Sequence, residues 1–172
     1  MFKFSTKKIV RAGLVAGLYA VLTFATLSFS SGFIQLRVAE ALCLLPIFLP
    51  EAIIGLFIGC ALSNLVAGCV IYDIIFGSII TLIAGILTRV CTKPIKRFYL
   101  KVIVGGLFPV VLNALLLPVI WYFAYGELEM LYILQAVSLL ISQSLSVYLL
   151  GAPLCYGVKK LFEKTQIENI EE

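Results

Sequence analysis

The chain has 172 residues, of which 62% are hydrophobic and 13% are charged, and it contains no histidine. Soluble globular domains carry about 25% charged residues, so this composition excludes one and predicts a membrane protein. The net charge of +4 does not indicate a nucleic-acid partner, because the basic residues gather in short segments beside apolar runs.

Six apolar segments predict six membrane-spanning helices. They cover residues 9–29, 38–49, 52–71, 74–91, 102–125 and 130–158, and a polar tail follows at 159–172. Four of them reach the roughly 20 uncharged residues that cross the hydrocarbon core of a bilayer as an α-helix. The segment 74–91 has a shorter uncharged run, and 38–49 must accommodate Glu40. We therefore expect an all-α membrane protein in which residues 1–172 form one domain, a bundle of six transmembrane helices.

The basic residues also predict how the chain is oriented. They precede the first segment, fill the link between the fourth and fifth, and follow the sixth, so all three groups fall on one side of a six-span bundle. The positive-inside rule makes that side, with both termini, cytoplasmic. This orientation requires residues 9–29 to remain as a permanent helix, not a cleaved signal peptide. We expect a multi-pass protein of the cell membrane.

Small residues form a stripe on the first predicted helix. Ala12, Ala16 and Ala20 recur every four positions, and Gly13 and Gly17 lie beside them. A face of small side chains lets another helix approach closely. Packing inside the bundle explains such a stripe, and docking of a partner protein in the cytoplasmic half is the alternative.

Charged residues mark the second and third segments. Arg37 and Glu40 are three residues apart, which allows either a structural ion pair or a role in ligand binding. Glu51 follows Pro50 at the start of the third segment, where a carboxylate complements the positive end of a helix dipole. We therefore interpret Glu51 as a helix cap.

In the predicted orientation, acidic residues concentrate in the outer half of the bundle. These are Glu40, Asp73, Glu127 and Glu129. A carboxylate at mid-bilayer costs about 2.5 to 3.5 kcal/mol, so such groups usually face the bundle interior or a wet cavity. Glu127 and Glu129 belong to a loop and are expected to be solvated. The acids predict an inward cavity that opens to the outside.

Uncharged polar residues fall at similar depths on several predicted helices. Hydrogen bonding between helices explains each one singly, but their convergence with the acids and an aromatic residue predicts a polar ligand pocket. The candidate ligand-binding residues are Arg37, Glu40, Asn64, Asp73, Asn113, Trp121, Gln135 and Gln143.

The sequence contains no phosphate-binding loop, no metal-ligand spacing and no nucleophile with a base. We therefore predict neither an enzyme nor a bound metal or cofactor. A transporter built this way would draw its energy from a partner.

Three motifs carry a resemblance to a known family. They are R-x-x-E-A-L at residues 37–42, LPIFLPEAIIGL at 45–56 and D-x-x-F-G-S at 73–78. With these motifs, residues 10–158 resemble the QueT family of substrate-binding (S) components of energy-coupling factor transporters, which are linked to uptake of queuosine precursors. The resemblance implies a six-helix subunit that captures its solute outside and docks onto one transmembrane T protein and two ATPases. It also places the family's docking stripe on Ala12, Ala16 and Ala20.

The implied solute is a deazaguanine base with an aminomethyl group. Its adjacent ring and exocyclic N–H groups match one carboxylate, assigned to Glu40, and its ammonium matches a second, assigned to Asp73. Trp121 is expected to stack on the ring, and the amide side chains to serve the remaining polar atoms. The family motifs themselves match only Arg37, Glu40 and Asp73. The alternatives are an S component for another vitamin or cofactor and a membrane subunit that transports nothing.

Overall fold

The computed structural model describes residues 5–26, 37–125 and 129–171, with side chains for 5–26, 37–123 and 132–164. Within these ranges the chain is helical and contains no strand. The elements are α1 (Thr6–Ala25), a 3₁₀ helix (Val38–Ile47), α2 (Ala52–Val66), α3 (Ser78–Thr92), α4 (Phe98–Tyr125), α5 (Glu129–Ser144) and α6 (Gly151–Glu171). A π-helical turn, Asp73–Gly77, leads into α3, and a second, Leu145–Leu150, joins α5 to α6. Because the second π-helical turn makes α5 and α6 one continuous helix, the described chain forms six consecutive helices.

Four of the six helices are long and apolar enough to cross a membrane. They are Thr6–Ala25, Asp73–Thr92, Phe98–Phe123 and Tyr132–Lys164. The 3₁₀ helix and α2 have 10 and 15 residues and each rise only about 20 Å, against about 30 Å of hydrocarbon. The all-helical membrane class is confirmed, whereas six complete crossings remain a prediction. Residues 27–29 of the first predicted span lie outside the described residues.

The 3₁₀ helix occupies the centre of the bundle. Residues 39–47 are all buried, and the helix contacts α1, α2, α3, α4 and α6. Its sequence VAEALCLLPI is apolar on every side except at Glu40, which suits a helix surrounded by others. Arg89 Nη1 on α3 donates to the carbonyl oxygens of Ile47 at 2.7 Å and Pro46 at 3.4 Å. These bonds satisfy carbonyls that a helix C-terminus leaves without partners.

The first and third helices, α1 and α2, pack side by side at short range. A Cβ atom added at Gly59 would lie 2.8 Å from Tyr19 Cβ and 3.0 Å from the Ala16 carbonyl oxygen. The close approach also brings Arg11 Nη1 within 3.2 Å of Glu51 Oε1. Glu51 precedes α2 as predicted, but its side chain makes no capping hydrogen bond. It pairs with Arg11 instead, so the carboxylate holds the predicted place at the N-terminus of α2 but does not cap the helix by a hydrogen bond.

The small-residue stripe on α1 divides into two edges. Ala16 is buried against α2, and Ala12 and Ala20 are half-buried. Gly13 and Gly17 are exposed, and a Cβ added at either would meet nothing within 4 Å. Packing inside the bundle accounts for the inner edge of the stripe, at Ala16. The outer edge, at Gly13 and Gly17, stays open to a neighbouring helix.

Basic residues from distant parts of the chain meet at one end of the bundle. The Arg11 guanidinium lies 5.8 Å from the centroid of the Phe162 ring, and Lys159 Nζ lies 5.1 Å from that of Phe98. The starts of α1 and α4 and the middle of α6 therefore lie together. This matches the grouping predicted from the charges, and the assignment of that end to the cytoplasm stays a prediction.

The bundle is apolar outside, and a set of polar side chains is buried within its largely apolar interior. Phe123, Ile133 and Leu149 are 80%, 66% and 65% exposed, as expected for side chains that face lipid. The buried polar side chains include those of Glu40, Asn64, Asp73, Thr81, Asn113 and Gln143. Of the other predicted outer acids, Glu127 and the side chain of Glu129 lie outside the described residues.

Candidate functional site

The side chain of Glu40 lies at the centre of the bundle and is 1% exposed. Its Oε1 accepts a hydrogen bond from Tyr19 Oη at 2.8 Å, and its Oε2 accepts from Cys43 Sγ at 3.0 Å and Asn113 Nδ2 at 3.5 Å. Cys43 reaches Glu40 because residues three apart are aligned on a 3₁₀ helix. Donors from α1, α4 and its own helix thus offset the cost of burying the acid.

Arg37 and Glu40 do not form the direct ion pair that the sequence allowed; the described salt bridges are Arg11–Glu51 and Lys159–Glu163. Arg37 precedes the 3₁₀ helix with φ −92° and ψ 84°, so the helical spacing behind that expectation does not extend to it. Burial lowers the pKa of Arg37, but Tyr19, Glu40 and Asp73 raise it, and the net effect is a raised pKa. Arg37 therefore stays positively charged, and both acids contribute to this.

Asp73 is held beside Trp121 at the start of the π-helical turn before α3. Trp121 Nε1 donates to Asp73 Oδ1 at 2.7 Å, and Asn64 Nδ2 donates to the Asp73 backbone oxygen at 3.2 Å. The turn from α2 toward Asp73 uses Gly68 at φ 73°, a conformation that favours glycine. The hydrogen bond from Trp121 Nε1 therefore holds the indole ring beside the Asp73 carboxylate.

A cysteine on α2 links the surroundings of the two acids. Asn64 Nδ2 lies 3.8 Å from Cys60 Sγ, and Thr81 Oγ1 lies 3.5 Å from the same sulfur. Cys60 also packs in one core with Tyr19 and Cys43, which both donate to Glu40. We call the resulting group of six predicted residues the polar cluster: Arg37, Glu40, Asn64, Asp73, Asn113 and Trp121.

The two predicted glutamines lie on α5. Gln143 is 1% exposed, and neither its amide oxygen nor its amide nitrogen is hydrogen-bonded to another described residue. The inward side of α5 packs on α4, because Leu139 belongs to the same core as Ala114. Gln143, one turn after Leu139, therefore lies on the side of α5 that packs on α4. Gln135 lies two turns earlier and is half-buried.

Several residues that shape the site are absent from the sequence prediction. Tyr19 and Cys43 are donors to Glu40, Thr81 contacts Cys60, and Ser146 is fully buried. The sequence contains a signal for each of the two donors to Glu40. Tyr19 is the first aromatic residue after the charged start of α1, and it follows Ala16 by three positions. Cys43 follows Glu40 itself by three positions.

Two other kinds of site do not coincide with the polar cluster. Within the part of the chain that the structure describes, no three His, Cys, Asp or Glu side chains group as metal ligands. A groove on the outer side of α5 contains none of the predicted ligand-binding residues. It is lined by Leu140, Ile141, Ser144, Leu145, Tyr148 and Leu149.

The apolar exterior, the four long apolar helices and the buried acids define a helical membrane protein with a polar interior site. The profile of the family described as QueT transporter matches residues 9–160. The chain therefore belongs to the QueT transporter family, and its role is membrane transport rather than catalysis. No curated protein and no solved structure matches it significantly.

Proposed function

We propose that the chain is the substrate-binding (S) component of an energy-coupling factor importer. In this role it captures a queuosine precursor, a deazaguanine base with an aminomethyl group, from outside. The observation that carries the proposal is the pair of buried acids, Glu40 and Asp73, with Trp121 hydrogen-bonded to the second of them. Membership of the QueT family supports the same role.

Asp73 has the surroundings that an ammonium group requires. A carboxylate offers about four acceptor positions, and Trp121 uses one of them. The remaining positions suit a charge-assisted hydrogen bond from an aminomethyl group. The adjacent indole offers a face for a planar ring or a cation. We therefore assign Asp73 to the ammonium and Trp121 to the ring.

The first experiment is a calorimetric titration of the purified protein with aminomethyl-deazaguanine, queuine, riboflavin and biotin. Saturable binding of the deazaguanines alone supports the proposed solute. Binding of riboflavin or biotin instead would indicate an S component for a different solute. A folded protein that binds none of them, and that captures no ATPases from its native membrane, contradicts the proposal and favours a subunit that transports nothing.

The variant Asp73→Asn tests the assigned role of the acid. The amide oxygen of asparagine still accepts the bond from Trp121, so the fold is retained while the negative charge is lost. We expect the affinity for the aminomethyl base to fall by about tenfold or more, which corresponds to about 1.4 kcal/mol. Glu51→Gln is the matched control, because it removes a carboxyl group at the opposite end of α2 and leaves the affinity unchanged. Equal affinities of Asp73→Asn and the parent would refute the assignment.

The energy for import comes, in this proposal, from one T protein and two ATPases that dock on α1. The exposed outer edge of the stripe, Gly13 and Gly17, lets a partner helix approach closely. Ala12 and Ala20 flank this edge, whereas Ala16 is already covered by α2. We expect Gly17→Leu to reduce co-purification of the ATPases while the calorimetric titration stays unchanged. Undiminished co-purification would contradict docking at this edge.

A further inference from the structure

We propose that Gln143, together with Ser146, binds the lactam edge of a planar heterocycle, where a ring N–H lies beside a carbonyl oxygen. The inference rests on the proposed function and identifies the group that recognises the base. From the sequence, Glu40 was expected to bind the ring N–H together with the exocyclic N–H. The lactam edge contains the same ring N–H, and the proposal assigns this N–H to the side chain on α5 instead.

The first argument is burial without a partner. Gln143 and Ser146 are 1% and 0% exposed, and neither side chain forms a hydrogen bond within the described part of the chain. Nearby serines on the same helix differ, since Ser142 donates to the Leu139 carbonyl at 3.2 Å and Ser144 to that of Leu140 at 2.6 Å. A buried polar group without a partner is costly, and such groups are rare in folded proteins. The two side chains are therefore suited to bind something that enters the bundle.

The second argument is position. Leu139 packs in one core with Ala114 and Leu117, and Val147 packs in another with Val110. Together with the approach of Val147 to Gly106, these contacts show that α4 and α5 run antiparallel and place Gln143 within about one helical turn of the level of Asn113. Because the Asn113 amide donates to Glu40 Oε2, Gln143 lies at the depth of the polar cluster.

The local helix geometry also changes at this point. The α-helical part of α5 ends at Ser144, and the π-helical turn Leu145–Leu150 begins immediately after it. Gln143 and Ser146 stand on either side of this junction. Single π-helical turns within α-helices often accompany functional sites.

The third argument is chemical complementarity. A carboxamide presents an acceptor and a donor side by side, which matches the N–H and C=O of a lactam in a bidentate pair. Glu40 offers acceptors only, and Tyr19, Cys43 and Asn113 use three of about four positions. A carboxylate would also repel the lactam oxygen. The Ser146 hydroxyl provides an additional donor or acceptor close to this pair.

The test compares Gln143→Leu with the control Ser142→Ala, which alters a buried polar residue that already has a partner. The melting temperature of each ligand-free protein and its affinity for aminomethyl-deazaguanine are measured. We expect Gln143→Leu to melt at or above the temperature of the parent and to lose about tenfold or more in affinity. Ser142→Ala should retain the affinity of the parent.

A second arm uses an analogue of the base that lacks the lactam oxygen. The analogue should bind the parent weakly, and Gln143→Leu should reduce its affinity much less than that of the complete base. A less stable Gln143→Leu protein that binds the base as the parent does would show an internal structural role, such as holding a water molecule, and would overturn the assignment. A parent that binds no deazaguanine overturns the proposed function and the lactam assignment together, so the two failures are distinguishable.

Discussion

Tyr19→Phe probes the buried acid at the centre of the bundle. Tyr19 is 3% exposed and donates to Glu40 Oε1 at 2.8 Å. Phenylalanine keeps the aromatic ring and the Cβ atom that lies against Gly59, so the change removes the hydroxyl group alone. Hydrogen bonds to charged groups contribute about 1.5 to 3 kcal/mol, and Glu40 would retain only the donors Cys43 and Asn113. We expect the free energy of unfolding to fall by about that amount.

The assay is equilibrium unfolding of the protein in mixed detergent micelles. Tyr148→Phe is the matched control, because the Tyr148 hydroxyl donates to a neutral backbone carbonyl, that of Ile103, at 2.9 Å. Its loss should cost about 0.5 to 1.5 kcal/mol. If Tyr19→Phe unfolds like the parent, the view that Glu40 depends on its protein donors is refuted.

Two further substitutions test the packing of the bundle by the same unfolding assay. Gly59→Leu forces side-chain atoms into the backbone of α1 and should lower the free energy of unfolding by about 1 to 3 kcal/mol. Its control is Gly13→Leu, which has open space around it and should change that free energy little. Equal effects of the two variants would contradict the close approach of α1 and α2. Arg89→Met leaves the Ile47 carbonyl without its charged donor and should cost about 1 to 3 kcal/mol. Lys93→Met, at an exposed site, is its control, and an Arg89 variant as stable as that control would contradict the role assigned to the guanidinium.

Much of the fold was predictable because long apolar runs in a bilayer must form helices. The central position of the 3₁₀ helix was not, since its burial depends on how all the other helices surround it. The pairing of Glu51 with Arg11 was missed for a related reason. Hydropathy places both residues near helix ends, but their contact requires α1 and α2 to approach closely at Gly59.

Six predicted residues of the candidate site converge because polar groups in apolar helices are excluded from lipid and point inward. Their pairings were less predictable. Glu40 was expected to bind Arg37 or a ligand, yet its shortest hydrogen bond comes from Tyr19 on another helix. Such partners depend on the rotation of each helix about its axis, which spacing along one segment does not determine. The absence of a described partner for Gln143 likewise became visible only in three dimensions.

The central claim is that the polar interior of the bundle binds the transported base. A structure of the protein determined with aminomethyl-deazaguanine bound tests it most directly. The account predicts that the ammonium contacts Asp73, the ring lies beside Trp121, and the lactam edge meets Gln143. A base bound in the outer groove along α5, with the contacts of Glu40 and Asp73 unchanged and Gln143 remote from it, would contradict the account.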